Sequence, residues 1–251
     1  MIPIRDINPT VVRPVVTLSL IVINIAVFFL VQPQTPSEEA DRFAYEYAAI
    51  PCELRSGDPL DSQEISTGRC EEDGFFGGRG FPEVFPEKIV FLSLISSMFL
   101  HGGIAHLAFN MWSLWIFGDN VEEAFGKAGY LALYLVGGVV ATVGYAVFNL
   151  ESTIPLVGAS GAIATVMGAY LVLFPTHRIL SLVFLFFVAV PAVVFIGFWF
   201  VGQFGVDPAS NVAWEAHVAG FAFGVVIALL LRVPLLRRLE AHRTPRWATF
   251  P

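Results

Sequence analysis

Ser160 stands in the run Leu156-Val-Gly-Ala-Ser-Gly-Ala-Ile, framed by small residues at the head of an apolar stretch. A serine hydroxyl becomes a useful nucleophile when a neighbouring base takes its proton, and imidazole is the usual base. Two histidines, His106 and His217, lie inside other apolar stretches, where an ionisable side chain is costly and therefore a functional candidate. Asn110 follows His106 by four residues, which puts both on one helical face. A hydroxyl and an imidazole are the material for a nucleophile inside a bilayer. Each residue also has a blander reading. A serine in an apolar helix commonly hydrogen-bonds its own backbone carbonyls, and a lone His217 also suits a packed imidazole, a proton relay or a metal ligand. A metal site needs three or more ligands, and the sequence holds neither an HExxH pattern nor a carboxylate cluster near these histidines, so no metal or other cofactor is expected. Glu215 is two residues from His217 and points off its face, and Glu151 falls in a loop. What remains is a dyad without an acidic third member.

The elements that must position these groups are apolar. Of 251 residues, 56% are hydrophobic and 14% charged, with a mean hydropathy of +0.71, which places the chain in lipid. The net charge of -7 is concentrated in residues 32–88, which carry 13 acidic and 5 basic side chains. No basic patch with interleaved aromatics lies outside the short tail, so nucleic acid is not an expected partner. Six apolar stretches, at 15–31, 99–117, 129–149, 157–174, 179–202 and 212–233, each approach the ~20 residues of a spanning helix. The first lacks a small-x-small cleavage site after Val31 and reads as an uncleaved anchor. Pro175-Thr-His-Arg178 reads as the turn of a tight helical hairpin.

Arg5, Arg13, Lys127, Arg178 and the five arginines from Arg232 to Arg246 all fall on one side of a six-span path, which the positive-inside rule makes cytoplasmic. The expectation is an all-α six-helix bundle in the cell membrane, one domain over 1–251. Residues 1–14 form a cytoplasmic N-terminus, 32–88 a long outer loop, and 234–251 a cytoplasmic basic tail. The outer loop holds Cys52 and Cys70, a candidate disulfide in an oxidising compartment. Gly74–Gly80 reads as flexible linker, and Phe81 to Phe99 as a segment on the membrane surface or packed on the bundle. On this path Ser160 opens the fourth stretch, His217 lies about a turn and a half into the sixth, and His106 and Asn110 occupy the outer half of the second. All four sit level. Gly161, Ala164 and Gly168 form one small-residue stripe and Ala216, Gly220 and Gly224 another, so the fourth and sixth helices approach closely.

His101-Gly-Gly-Ile-Ala-His106-Leu-Ala-Phe-Asn110, Gly158-Ala-Ser160-Gly161 and Ala216-His217-Val-Ala-Gly220-Phe-Ala-Phe-Gly224 together resemble the three signature segments of rhomboid intramembrane serine proteases. Phe117-Gly-Asp-Asn-Val-Glu-Glu looks like that family's loop after the second span, and the opening Ile2-Pro-Ile-Arg-Asp-Ile-Asn-Pro-Thr resembles many bacterial members. The resemblance implies hydrolysis of a peptide bond in or beside a transmembrane segment of a protein substrate. Ser160 would be nucleophile, His217 base and then acid, and Asn110 and His106 would stabilise the oxyanion. Substrate would enter past the fifth span, with Phe198 and Trp199 in the gate. Where many rhomboids carry an aromatic residue four positions after the serine, this chain has Ala164, so the imidazole lacks a stacking partner there. Phe221 is the expected substitute, and Ala164→Tyr is expected to be tolerated if another group already fixes the ring. A silent rhomboid-like binding protein and a channel or transporter are the alternative readings; the four intact polar residues weigh against the first, and the apolar inner halves of the fourth and sixth stretches against the second.

Overall fold

The computed structural model describes residues 1–70, 81–207, 210 and 212–243. The expected linker Gly74–Gly80, part of the loop 203–211 and the tail beyond Arg243 lie outside the described residues. In chain order the elements are β1 (Ile2–Asp6), α1 (Val15–Leu30), α2 (Glu38–Tyr47), α3 (Pro51–Ser56), α4 (Ser62–Thr67), α5 (Ser93–Ser96), α6 (Ile104–Phe148), α7 (Ser160–Leu173), β2 (Arg178–Val183), β3 (Phe186–Pro191), α8 (Ala192–Gln203), α9 (Trp214–Leu230) and α10 (Arg232–Arg243).

α6 is two helices in series. Gly126 breaks it at φ 70, ψ 164, a conformation open to glycine, and a Cβ at that position would lie 2.5 Å from the Arg238 guanidinium. The chain reverses there. The Tyr130 hydroxyl reaches to 2.7 Å from where a Cβ on Gly118 would sit, and Met98, just ahead of α6, fills the space beside Gly138. The second and third apolar stretches are therefore antiparallel neighbours, as their spacing around Lys127 suggests.

Phe117 to Glu123, expected as a loop, lies inside α6 and is buried apart from Asp119, which is partly exposed. Its polar side chains are consumed by the N-terminal segment, which explains why they tolerate burial. Glu122 accepts from the Val16 and Thr17 amides at 3.0 and 2.8 Å and from the Thr17 hydroxyl at 2.8 Å. α1 starts after Pro14 with no side-chain cap of its own, so this distant carboxylate caps it. Asp6 Oδ2 accepts from Asn120 Nδ2 at 2.7 Å and from the Tyr170 hydroxyl at 2.6 Å, tying β1 to α6 and α7. Glu122→Ala is expected to lower stability by about 2–4 kcal/mol, a lost cap plus stranded buried donors. Thermal unfolding in detergent checks it; Glu122→Gln, which keeps one acceptor, should lose less.

The stretch at 179–202 is not one helix, and the fold is mostly helical rather than all-α. β2 and β3 form a hairpin with register Arg178↔Pro191 to Val183↔Phe186, and β1 pairs antiparallel with β2. Helix resumes only at Ala192, after Pro191. An unbroken apolar run does not distinguish strand from buried helix by periodicity, but 178–191 is rich in β-branched and aromatic residues and Phe184 supplies the turn at φ 53. Pro175–Arg178 thus joins a helix to a strand, not two helices. Among the described residues, α6 is the one helical element containing a stretch long and apolar enough by itself to cross a membrane. α9 with the start of α10 would be a second if that pair, bent by 70°, were one span. α1, α7 and α8 are apolar helices of 16, 14 and 12 residues.

Residues 32–88 are built rather than looped where described, with α2, α3 and α4 around a small core of Ile50, Cys52 and Leu60. Cys52 and Cys70 are joined in a disulfide. Lys88 is buried against Glu53 at 2.5 Å and also donates to the Tyr45 and Ala48 carbonyls. Desolvation pushes the Glu53 carboxyl up and the Lys88 ammonium down, and their contact opposes both shifts. This lobe docks through Cys52 N to Ser152 O and Leu156 N to Ala49 O, and the Gly158 amide donates to Ser97 O at 2.9 Å. The segment before Phe99 therefore packs on the bundle. Contacts sort into two ends: the sheet, Glu122, Tyr170 and Arg238 at one, the disulfide lobe, His101 and Ser160 at the other.

Candidate active site

Ser160 is the first residue of α7 and His217 sits in the first turn of α9, so the seam between these helices sets their separation. Along that seam a Cβ on Gly224 would overlap the Thr165 carbonyl oxygen, one on Gly220 the Gly161 oxygen, and one on Gly168 the Phe221 oxygen. Backbone touches backbone, and the Thr165 hydroxyl crosses the seam to Gly220 O at 2.9 Å. The result is a hydrogen bond of 2.8 Å between Ser160 Oγ and His217 Nε2.

The other imidazole nitrogen, Nδ1, faces Gln203 Oε1 at 2.7 Å. Trp199 lies beside the ring, centroids 6.0 Å apart and planes at 38°. Phe221, expected against the imidazole, is one layer further out, stacked on Phe200 at 4.5 Å and packed on Trp199 at 6.1 Å. Ala164 is completely buried, so a tyrosine there meets occupied space, and its expected tolerance gives way to an overpacking cost. Of the two gate candidates, Trp199 turns inward to His217, whereas Phe198 lies on the outside of α8, 66% exposed.

His106 and Asn110 come from the first turns of α6 and converge on the chain just ahead of Ser160. Gly158 holds φ +126, and a Cβ there would lie 2.7 Å from His106 Nε2 and 3.7 Å from Asn110 Nδ2. His106 Nδ1 accepts from the Gly102 amide at 3.3 Å, which assigns the ring proton to Nε2, on the side of Gly158. Asn110 Nδ2 is buried with no protein partner among the described residues. Two N–H donors therefore point at one small space beside a helix N-terminus, whose first amides have no partner within the helix. A hydroxyl bonded to an imidazole, next to such donors, can perform acyl transfer by attack on a carbonyl.

The sequence assigns no role to two residues here. His101 is fully buried with its ring edge-on to His106, centroids 5.1 Å apart. Gln203 is the one polar side chain of α8, Ala-Val-Val-Phe-Ile-Gly-Phe-Trp-Phe-Val-Gly-Gln, and that isolation was the available signal. It lies one residue past the apolar stretch ending at 202.

A mostly helical chain with a serine, an imidazole and paired N–H donors gathered at one end has the parts of an acyl-transfer site. The rhomboid domain family matches residues 90–234, more than half of the chain, and the chain belongs to that family. It is 34% identical over 142 residues to rhomboid protease GluP of Bacillus subtilis, covering 56% of this chain and 26% of that protein. It is 36% identical over 90 residues to presenilin-associated rhomboid-like protein A, mitochondrial, of Danio rerio, covering 35% and 24%. It is 31% identical over 137 residues to rhomboid protein 1, mitochondrial, of Saccharomyces cerevisiae, covering 53% and 36%. The chain thus spans about a quarter to a third of the length of these relatives.

Proposed function

We propose that this protein is an intramembrane serine endopeptidase that hydrolyses peptide bonds in or next to transmembrane segments of other proteins. The observation that carries this reading is the 2.8 Å hydrogen bond between Ser160 Oγ and His217 Nε2. In the proposed reaction Ser160 Oγ attacks the scissile carbonyl while its proton passes to His217 Nε2. Imidazolium then returns that proton to the leaving amine, and water, deprotonated by the same ring, hydrolyses the acyl ester. His106 Nε2–H and Asn110 Nδ2–H bind the oxyanion, each such donor being worth ~10²–10³-fold. Phe198 and Trp199 on α8 flank the path by which a substrate helix enters.

The setting is a lipid bilayer, and the proposed path crosses it through α1, the two halves of α6, α7, α8 and α9, with the three-stranded sheet at the end opposite Ser160. Exposed apolar side chains such as Val22, Phe29, Phe109, Phe198 and Leu230 on the outer helix faces support it. The disulfide lobe and Ser160 share one end, which suits an oxidising outer side, while the Arg-bearing termini share the other. The protein sits in the cell membrane with both termini cytoplasmic and the site toward the outer face. The test is cleavage of a type I transmembrane substrate by the purified chain in liposomes. Cleavage by wild type and none by Ser160→Ala is the expected result. Equal cleavage by both would sink the assignment of the nucleophile, and no labelling of wild type by a fluorophosphonate would sink the serine chemistry altogether.

A further inference from the structure

Gln203 ends α8, and its amide touches two partners. Nε2 donates to the Trp199 carbonyl at 3.1 Å, and Oε1 faces His217 Nδ1 at 2.7 Å. The first contact decides the second. A backbone carbonyl can only accept, so the amide presents its N–H to Trp199 and its oxygen to the ring. An amide oxygen also only accepts, so Nδ1 carries the ring proton. A neutral imidazole has one such proton, and Nε2 is left with its lone pair facing Ser160 Oγ at 2.8 Å. Trp199 O, the Gln203 amide, the His217 ring and the Ser160 hydroxyl form one series in which every donor points the same way.

Nothing else described at the ring makes that choice. Ala164 offers no aromatic face, and Trp199, tilted at 38° and 6.0 Å away, limits the ring's position without distinguishing its nitrogens. Glu151 is paired with Arg55 at 2.6 Å, and Glu215, two positions from His217 on α9, points off its face. Gln203 itself is 8% exposed, in a helix otherwise made of apolar residues and glycine, where an amide is retained only if it is satisfied.

Resting on the Ser160–His217 reading above, we propose that Gln203 is the positioning residue of the imidazole. It selects the Nδ1–H tautomer, holds the ring toward Ser160, and makes the dyad a series of three whose last member is a neutral amide. Gln203 and its anchor Trp199 both belong to α8, whereas His217 belongs to α9. The helix proposed to admit substrate therefore also sets the alignment of the base.

The test compares wild type, Gln203→Met, Gln203→Glu and Ser160→Ala, each the full chain in liposomes. One readout is the rate of fluorophosphonate labelling, which needs an activated serine but no substrate helix passing α8. The other is kcat and KM for the transmembrane substrate. Gln203→Met keeps length and bulk but offers no oxygen, and is expected to lower both the labelling rate and kcat by about 10²-fold, the lower end of a general base's contribution, with KM nearly unchanged. Gln203→Glu still presents an oxygen to Nδ1–H and is expected to stay within about tenfold of wild type. A packing role gives the opposite order, with methionine near wild type and a buried carboxylate impaired. That order, or a methionine loss confined to KM, overturns the proposal. Labelling of wild type and Ser160→Ala at equal rates would instead overturn the nucleophile reading, whatever the Gln203 variants do.

Discussion

His217→Ala is expected to lower turnover of a transmembrane substrate by about 10⁴-fold or more, and adding Ser160→Ala to it should cost almost nothing further. In the proposed reaction the two groups act through one shared proton, and their separation is that of a formed hydrogen bond. Without the ring, the hydroxyl must release its proton to water that the apolar surroundings largely exclude. Without the hydroxyl, the ring has nothing to activate. Residues acting as a unit give strongly non-additive losses. What survives should be the modest acceleration that positioning and oxyanion donors give alone, here from His106 and Asn110. The fold should survive too, since His217 is only partly buried and its removal strands one amide oxygen, a cost on the order of 1 kcal/mol. Single-turnover cleavage by the two single variants and the double variant decides the matter. Losses that multiply in the double variant, or a His217→Ala rate above a tenth of wild type, would contradict a dyad.

The site was legible in the sequence where spacing has a mechanical meaning. His106 and Asn110 are one helical turn apart, and the two small-residue stripes had to be a seam because nothing larger fits between touching backbones. Those features can bring His217 within reach of Ser160 on sequence grounds alone. Gln203 was not legible in the same way, because its role depends on which way one amide faces, and that is fixed by the Trp199 carbonyl rather than by any pattern of residue types. The Ala164 gap pointed to a missing partner for the ring and left its source open. Phe221 was the neighbour one turn along α9, but the space was filled from α8, an element whose approach no spacing rule predicts.

The fold shows the same division. Apolar runs located most of the helices, and the gap between the second and third of them contains the reversal at Gly126, since burial acts on each segment separately. The β2–β3 hairpin was hidden because every residue from Ile179 to Val190 except Ser181 is apolar, so neither a period of two nor one of 3.6 emerges. What made it a sheet was a partner strand 170 or more positions away, β1, which removes one of the hairpin's edges. Likewise the acidic run Glu122-Glu123 reads as solvated until the amides it caps, at Val11, Val16 and Thr17, are seen to come from the other end of the sequence.

Gly224→Ala is the substitution expected to damage the fold most for its size, costing at least about 3 kcal/mol, the upper end of overpacking. The added methyl would overlap the Thr165 carbonyl oxygen, with the Thr165 carbonyl carbon 2.8 Å away. Those are backbone atoms of a helix and cannot swing aside as a side chain does, so α7 and α9 must separate. Separation is not local. Gly220 against Gly161 and Gly168 against Phe221 lie on the same seam, and the Thr165 hydroxyl bond to Gly220 crosses it. Ser160 and His217 are at one end of it, in the first turns of α7 and α9, so cleavage should fall together with the unfolding temperature. Gly197→Ala on α8 is the matched control: nothing lies within 4 Å of its added Cβ, and alanine favours helix over glycine by about 1 kcal/mol. Thermal unfolding of both variants in detergent should therefore move in opposite directions. Equal behaviour of the two would mean that the seam is looser than its backbone contacts require, and that the 2.8 Å hydrogen bond between Ser160 and His217 is held by α8 rather than by the glycines.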